Sequence, residues 1–297
     1  MSEVQYMAAK SVKEAVKMMQ ASKGKGRILA GGTDLLVQMK SGLRTPEIII
    51  DVKKIPEMTT VTEKKGSFTI GAATPAAVLA ENKKLKKAWP GVIEAANLIG
   101  STQVQGRASV GGNLCNASPA ADSVPALVAA GCVVNVAGPK GKRAVPVEKF
   151  CAGPGKTTLK PGEIVVSLTL PARPKNSSDA YRRLIPRTEM DIAVVGMGVS
   201  LTMKGDTCVD ARVGLGAVAP TVLRVPKAEK ALIGSSLDDA ALDAAAAACS
   251  AACSPIDDKR GTIKYRTKIA GVLLKRVALI ARDRVNGVEH HMHDSWT

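Results

Sequence analysis

The sequence predicts an α+β protein of about two domains, and three observations support this fold class. The length of 297 residues suits about two domains of roughly 150 residues each. Stretches with a helical period alternate with short runs of β-branched residues, which are typical of strands. The proline-rich polar segment Pro171–Ser178 marks a boundary, so we expect one domain at 1–175, a second at 178–288 and a tail at 289–297.

In the first part of the chain, the sequence predicts a strand, helix and strand unit that contains a pair of glycines. Apolar residues at helical spacing, among them Val12, Val16 and Met19, indicate an amphipathic helix. The predicted elements are a helix at Ser11–Ala21, a strand at Arg27–Ala30, a helix at Leu35–Ser41 and a buried strand at Glu47–Val52. The glycine pair lies between the first strand and the second helix.

The rest of the N-terminal domain predicts a hairpin followed by helices and strands. Alternation on both sides of a Lys-Lys-Gly turn indicates the hairpin. The predicted elements are the hairpin at Val61–Thr74, helices at Pro75–Glu81, Pro90–Leu98 and Asp122–Ala130, and strands at Cys132–Ala137 and Glu163–Leu170. For the C-terminal domain, the sequence predicts antiparallel strands at Ala193–Lys204 and Thr207–Ala219, then helices at about Leu237–Ala252 and Arg266–Arg284.

The charge is strongly basic, with 42 Lys and Arg against 26 Asp and Glu and a formal net charge of +16. This favours either an acidic partner or a plain lysine-rich solvated surface. Single-stranded nucleic acid requires aromatic stacking platforms, and two Phe, two Trp and three Tyr do not supply them. The basic clusters Lys10–Arg27, Lys83–Lys87 and Lys259–Arg284 lie mostly away from the glycine pairs, so we expect them to serve docking or solvation.

Histidine and cysteine usage excludes several kinds of catalysis. All three histidines, His290, His291 and His293, lie in the last eight residues, so the body of the chain has no Ser-His-Asp triad, His-ligated zinc or histidyl flavin. The tail is either a metal ligand or a frayed terminus. The six cysteines form no C-x-x-C pair, which indicates thiols in a reducing compartment. With no signal peptide and no long apolar run, we expect a cytoplasmic protein without a transmembrane segment.

Two glycine pairs are the strongest candidates for a binding site. The turn Ala30–Leu35 follows a strand and opens a helix, and its glycines let backbone N–H groups approach an anion; alone, it is also typical of a tight structural turn. The second pair lies in Gly100–Asn113, which we predict to be irregular and therefore functional. We expect two such loops to bind an extended dinucleotide from two sides, with backbone N–H groups donating hydrogen bonds to its diphosphate. Asp122 then accepts from a ribose or base, or is simply the first residue of a helix.

Two other phosphate-loop patterns are incomplete. Gly214–Ala219 fits G-x-G-x-x-A, but Pro220 follows at once and no helix begins there. Gly155-Lys156-Thr157 is similar to the end of a P-loop, yet Phe150 stands where that motif requires its first glycine. Neither pattern indicates a second nucleotide site.

At the two glycine pairs the sequence resembles a known family, the flavoprotein (medium) subunits of molybdenum hydroxylases of the xanthine dehydrogenase and carbon monoxide dehydrogenase class. The order and spacing of five motifs carry the resemblance, and it covers nearly the whole chain. The matching stretches are Ala30–Leu35, Ile50–Ile55, Ile70–Thr74, Ile99–Asn113 and Tyr181–Val195, with weaker similarity at Tyr265–Arg276.

The resemblance implies a fold and a set of cofactor-binding residues. The fold is a vanillyl-alcohol-oxidase (PCMH) type FAD-binding domain, with subdomains at about 1–55 and 56–175, plus a smaller C-terminal α+β domain. FAD binds non-covalently. The implied residues are Ile28, Leu29, Ala30, Gly31, Gly32, Thr33, Asp34, Leu35, Ser109, Val110, Gly111, Gly112 and Asn113 at the diphosphate, Gly100 and Asp122 near adenosine and ribitol, Ile164 on the flavin, and Arg183 in place of the family's usual Lys. Either Arg182 or Arg183 faces the cofactor.

The resemblance also implies a function and partners. The chain is expected to be an FAD-carrying electron-transfer subunit, with a molybdenum cofactor on a large partner and [2Fe–2S] clusters on a small one, in a dimer of heterotrimers. NAD or a quinone is the expected acceptor, and this chain itself carries no iron–sulfur cluster. A stand-alone FAD-dependent oxidase of the same fold is the alternative, and a nucleic-acid-binding protein is a third hypothesis that rests only on charge.

Overall fold

The N-terminal subdomain is a small parallel sheet with one helix in each crossover. The computed structural model describes residues 4–290. Ser11 caps the first helix by accepting a hydrogen bond from the Glu14 N–H at 3.2 Å. The elements are β1 (Gln5–Ala8), α1 (Val12–Ala21), β2 (Gly26–Leu29), α2 (Leu35–Lys40) and β3 (Ile48–Asp51), with strand order β1-β3-β2. The predicted strand, helix and strand unit is confirmed within one or two residues.

The second subdomain is a five-stranded antiparallel sheet with helices. Its strand order is β4-β5-β10-β6-β7, so distant segments of the chain meet at its centre. The elements are α3 (Pro56–Thr59), β4 (Val61–Lys64), β5 (Ser67–Gly71), α4 (Ala76–Glu81), α5 (Lys83–Ala88), α6 (Pro90–Ala96), α7 (Thr102–Gln105), α8 (Val110–Asn116), α9 (Ser123–Ala129), β6 (Val133–Gly138), β7 (Gly141–Pro146), β8 (Cys151–Gly153), β9 (Lys156–Thr157) and β10 (Ile164–Leu170). A short 3-10 turn at Val147–Lys149 precedes the separate β8–β9 hairpin.

The C-terminal part is an antiparallel sheet covered by helices. The strand order follows the sequence, β11-β12-β13-β14. The elements are β11 (Ser177–Leu184), β12 (Val195–Lys204), β13 (Thr207–Gly216), β14 (Leu223–Arg224), α10 (Pro226–Leu232), α11 (Asp239–Ala252) and α12 (Ile263–Val285). The predicted antiparallel pair and the two long helices are confirmed, as is the α+β class.

The structure corrects the prediction that Gly100–Asn113 is irregular. This stretch contains α7 and the first turn of α8. Ser109 caps α8 by accepting the N–H of Gly112 at 3.0 Å, and this cap offsets the poor helix propensity of two successive glycines. The prediction also missed β11, because its buried Asp and Arg residues give it a polar composition.

Glycines in the C-terminal sheet make room for a helix of the N-terminal domain. Pro125 of α9 lies against β12 and β13, and a Cβ on Gly214 would stand 2.2 Å from the Pro125 carbonyl oxygen. A Cβ on Gly198 would stand 2.6 Å from the same oxygen. The Gly-x-Gly pattern at Gly214–Gly216 therefore serves interdomain contact, which agrees with its rejection as a nucleotide motif.

A buried cluster of charges also joins the two domains. Glu94 of α6 accepts from Arg182 Nη1 at 2.7 Å and from the Tyr181 N–H at 3.0 Å, both on β11. Arg284 of α12 donates to the same carboxylate. Glu94 and Arg182 are buried, so this cluster is a specific contact between domains rather than a solvated surface pair. Within residues 4–290, no helix is long and apolar enough to cross a membrane.

Candidate functional site

A cavity of about 570 Å³ lies where both glycine turns converge. Its walls include the turn after β2, the start of α8 and the start of β10, so both subdomains contribute. This volume is in the range of ligand and cofactor sites, which is about 300–1,000 Å³. The predicted site residues that line it are Ile28, Ala30, Gly31, Gly32, Thr33, Asp34, Leu35, Ser109, Gly111, Gly112, Asn113 and Ile164.

In each pair, the first glycine is required by close contact with protein backbone. A Cβ on Gly31 would stand 2.0 Å from the carbonyl oxygen of Arg107, and a Cβ on Gly111 would stand 2.4 Å from that of Ala72. Real Cβ atoms do not approach this closely, so a side chain at either position would force the segments apart. Gly31 and Gly111 therefore hold the two turns against the rest of the domain.

The second glycine of each pair has a different role. Gly32 has φ +79°, a left-handed conformation that side chains rarely adopt. Gly112 has helical geometry, and its Cβ would meet only Ser109 Oγ at 3.0 Å within a 4 Å radius. Gly112 also lines the cavity, so a larger side chain there would require a small shift of Ser109 Oγ but no left-handed backbone conformation.

The first turn presents a row of unpartnered backbone donors. Among the described residues, the N–H groups at 31–35 donate to no protein acceptor, whereas the next amide, of Leu36, donates to the Gly32 carbonyl at 3.0 Å. Across the cavity, the N–H group of Gly111 likewise meets no acceptor within residues 4–290. Buried or half-buried N–H groups normally find a partner, so this arrangement suits an anionic ligand such as a diphosphate.

Side-chain charges also line the cavity, contrary to the expectation that the basic residues lie away from it. Arg27, Arg44 and Lys160 are part of its wall. Burial lowers the pKa of Arg27, and the neighbouring positive charge of Arg44 lowers it further. Burial raises the pKa of Asp34, whose carboxylate makes no cap bond to α2. The wall thus carries two close guanidinium groups, which favour a bound anion.

Five predicted site residues do not line this cavity. Leu29 and Gly100 lie beside lining residues, and Val110 is buried inside α8. Asp122 and Arg183 instead form an ion pair with each other at 2.6 Å, where α9 meets β11. Neither Arg182 nor Arg183 faces the cavity in this structure, because Arg182 pairs with Glu94.

The Asp122–Arg183 pair is buried between the domains. Asp122 also accepts a hydrogen bond from the Tyr181 hydroxyl at 3.3 Å. Burial raises the pKa of Asp122 to about 6, and the Arg183 charge opposes this shift. Asp122 stands just before α9 without capping it through its side chain, and its carboxylate instead contacts Arg183 and Tyr181. Its contact with the cofactor stays a prediction.

Sequence reasoning missed several lining residues. Gln38 of α2 donates to the Asn116 side chain at 2.9 Å and closes one side of the cavity. Met58 and Ala72 add apolar surface. No local motif marks Met58 or Arg44, but the position of Gln38 four residues after Asp34 was a usable signal, because residues three to four apart share a helix face.

We predict that Gly31→Ala destabilises the protein by about 1–3 kcal/mol, the cost typical of overpacking. The added methyl group would overlap the Arg107 carbonyl. Urea unfolding followed by circular dichroism measures the loss. Gly153→Ala is the matched control, because a Cβ there would meet nothing within 4 Å, and we expect a change within about 0.5 kcal/mol. Equal stability of both variants would contradict the close contact.

Comparison with known proteins agrees with this fold and cavity. The FAD binding domain in molybdopterin dehydrogenase matches residues 2–173, and the CO dehydrogenase flavoprotein C-terminal domain matches residues 179–281. The carbon monoxide dehydrogenase medium chain of Afipia carboxidovorans is 35% identical over 279 residues, covering 94% of this chain and 96% of the relative. The putative xanthine dehydrogenase FAD-binding subunit of Escherichia coli is 28% identical over 274 residues, covering 92% and 94%.

A solved structure agrees as well. Carbon monoxide dehydrogenase from Hydrogenophaga pseudoflava, in a form lacking the Mo-pyranopterin moiety of its cofactor, matches with a TM-score of 0.92 and 35% identity over 95% of this chain and 98% of that one. The fold and cavity therefore define an FAD-binding oxidoreductase subunit. The chain belongs to the molybdenum hydroxylase flavoprotein family, the medium subunits of the carbon monoxide dehydrogenase and xanthine dehydrogenase type. The predicted family, fold and FAD cofactor are confirmed.

Proposed function

We propose that this chain is the electron-transfer subunit of a multi-subunit molybdenum hydroxylase. Electrons from [2Fe–2S] clusters of a small partner would reach an external acceptor, NAD or a quinone, through the FAD held here. When bound, flavin supplies chemistry that joins one-electron to two-electron steps. The observation that carries the proposal is the glycine-walled cavity, whose unpartnered N–H groups fit a diphosphate.

The protein's own contribution is to bind and orient the cofactor. The N–H groups at 31–35 would hold the diphosphate from one side, and that of Gly111 from the other. Each charge-assisted N–H bond contributes about 1.5–3 kcal/mol, so a few of them suffice without a lysine contact. Arg27 and Arg44 would add long-range attraction, and Ile164 would pack against the ring system.

The partners are part of the same proposal. The named relatives are medium chains or FAD-binding subunits, which supports a large molybdopterin-binding partner and a small [2Fe–2S] partner. We propose a dimer of these heterotrimers. All six cysteines are free thiols, which supports a reducing, cytoplasmic setting. We also propose that the domains divide at 175–178, because all buried residues of the first hydrophobic core except Tyr181 and Val222 precede this segment and those of the second core follow it.

Two experiments test this function. The chain, affinity-tagged and purified from its own cells, should bring down one molybdopterin-binding protein and one iron–sulfur protein, identified by mass spectrometry. The reduced complex should then be mixed with NAD or with a water-soluble quinone, and the return of the flavin absorbance band should be followed by stopped flow. Reoxidation by one acceptor supports the proposal.

A chain that takes up no FAD on reconstitution contradicts it, as does substrate turnover by the isolated chain.

A further inference from the structure

A second cavity, of about 550 Å³, lies next to the first and is not used by the proposed function. Six residues contribute to the lining of both cavities, and they belong to the end of α1 with the turn that follows it and to the turn before β10. We call this second cavity the basic groove. Its lining consists of Met19, Gln20, Lys23, Gly24, Pro139, Lys140, Gly141, Lys142, Arg143, Lys160, Pro161, Gly162 and Glu163.

Three turns from distant parts of the chain build the basic groove. They are the turn after α1, the β6–β7 turn and the turn at 160–163. Gly162 has φ +78°, and a Cβ on it would stand 2.9 Å from Pro139 Cγ, so only glycine allows these two turns to meet. A Cβ on Gly138 would stand 2.6 Å from Glu163 Cγ, which shows the same close approach. The groove is therefore held by defined contacts rather than left between loosely placed loops.

The charge of the basic groove is almost entirely positive. Glu163 is its one acidic residue, and Arg143 neutralises it through two hydrogen bonds, Nε–Oε1 at 2.8 Å and Nη2–Oε2 at 2.7 Å. The lysines at 23, 140 and 142 form no ion pair with any residue in the 4–290 range, whereas the charge of Lys160 helps to lower the pKa of Glu163 without a direct ion pair. Like charges on several walls of one concavity repel each other and raise the local positive potential, so a bound anion would stabilise them.

The remaining lining suits a flat ring. Met19, Pro139 and Pro161 present apolar surface between the lysines, and the exposed Gln20 side chain offers a donor and an acceptor at the edge. A phosphate chain would use the lysine ammonium groups, and an apolar base would use the proline and methionine surfaces. We propose that the basic groove binds a phosphate-bearing nucleotide as a second ligand, separate from FAD.

Calorimetric titration of the full FAD-loaded chain with ADP tests this proposal. One ADP should bind per FAD-loaded chain, more weakly as ionic strength rises. Lys140→Gln/Lys142→Gln should raise the Kd for ADP at least about tenfold, because it removes two phosphate donors. Lys86→Gln/Lys87→Gln, which removes the same charge from the exposed α5, should change that Kd less than about twofold. Inorganic pyrophosphate should bind more weakly than ADP, because it lacks the base.

Several results would overturn the proposal. If ADP does not bind to the FAD-loaded chain, the proposal is contradicted directly. Loss of FAD from Lys140→Gln/Lys142→Gln would assign the groove to the FAD site itself. Equal effects of the two double variants would indicate only the general charge of the surface, and equal binding of ADP and pyrophosphate would indicate a simple anion site. Because FAD content is measured in every sample, failure of this proposal is distinguished from failure of the proposed function.

Discussion

Replacing Gly112 with valine is expected to weaken FAD binding by at least about 100-fold while the protein remains folded. Gly112 lines the cavity, and a Cβ there would meet only Ser109 Oγ within 4 Å. The remaining atoms of the valine side chain would take up space in which the diphosphate is proposed to lie. Losing two charge-assisted N–H bonds, at about 1.5–3 kcal/mol each, corresponds to this loss of affinity.

Fluorescence titration of the apoprotein with FAD measures the change in affinity, and circular dichroism checks the fold. Gly106→Val is the matched control, because Gly106 has φ −63°, its nearest neighbour to a Cβ is the Gln103 carbonyl at 3.7 Å, and it does not line the cavity. We expect that variant to bind FAD normally. Gly32→Val is a poorer probe, because φ +79° makes any side chain there strained. Stoichiometric FAD in Gly112→Val would show that the site is misplaced.

The N-terminal fold could be predicted because local signals and tertiary contacts agree there. The Ser11 cap, the helical spacing of α1 and the glycine turn after β2 all act within a few residues, and the structure places α1, β2, α2 and β3 within one or two residues of their predictions, although β1 was not predicted. Agreement between local preference and final fold is typical of natural sequences. Patterns of this kind are therefore reliable where neighbouring residues alone determine the structure.

Where contacts between residues far apart in the chain determine the secondary structure, the prediction from sequence was wrong. Two glycines suggest a loop at 109–113, yet the cap by Ser109 and the close approach of Gly111 to Ala72 hold that stretch as a helix. The buried β11 was missed because its charges are neutralised by Glu94 and Asp122, which lie about 60 to 90 residues earlier. Pairings over such separations leave no mark on a single sequence.

The candidate site also contains some residues that the sequence alone predicts and others that only the folded chain reveals. The two glycine pairs were found because backbone access to an anion requires glycine, which is visible in any sequence. Arg27 and Arg44 were missed as cavity residues, since arginine is common on surfaces and only the folded chain brings these two together. Asp122 and Arg183 were assigned to the cofactor by resemblance, and the structure places them in an ion pair at the domain interface.

Replacing Glu94 with alanine is expected to destabilise the protein by about 3–5 kcal/mol, the usual cost of removing one partner from a buried ion pair. Glu94 receives hydrogen bonds from Arg182, Arg284 and the Tyr181 N–H. Without this carboxylate, two guanidinium groups remain at the interface with less charge to balance them. Because Glu94 belongs to the first domain and both arginines to the second, we also expect the domains to separate more easily.

Urea unfolding of the FAD-loaded chain measures the loss of stability, and limited trypsin digestion measures domain separation through cleavage at the exposed Lys175 between the domains. Glu63→Ala is the control, because Glu63 pairs with the exposed Lys84 at 3.2 Å, and surface pairs contribute at most about 1 kcal/mol. Faster cleavage is expected only in Glu94→Ala. If both variants unfold at the same urea concentration, the buried cluster does not hold the domains together, and the glycine-lined contact with Pro125 does so instead.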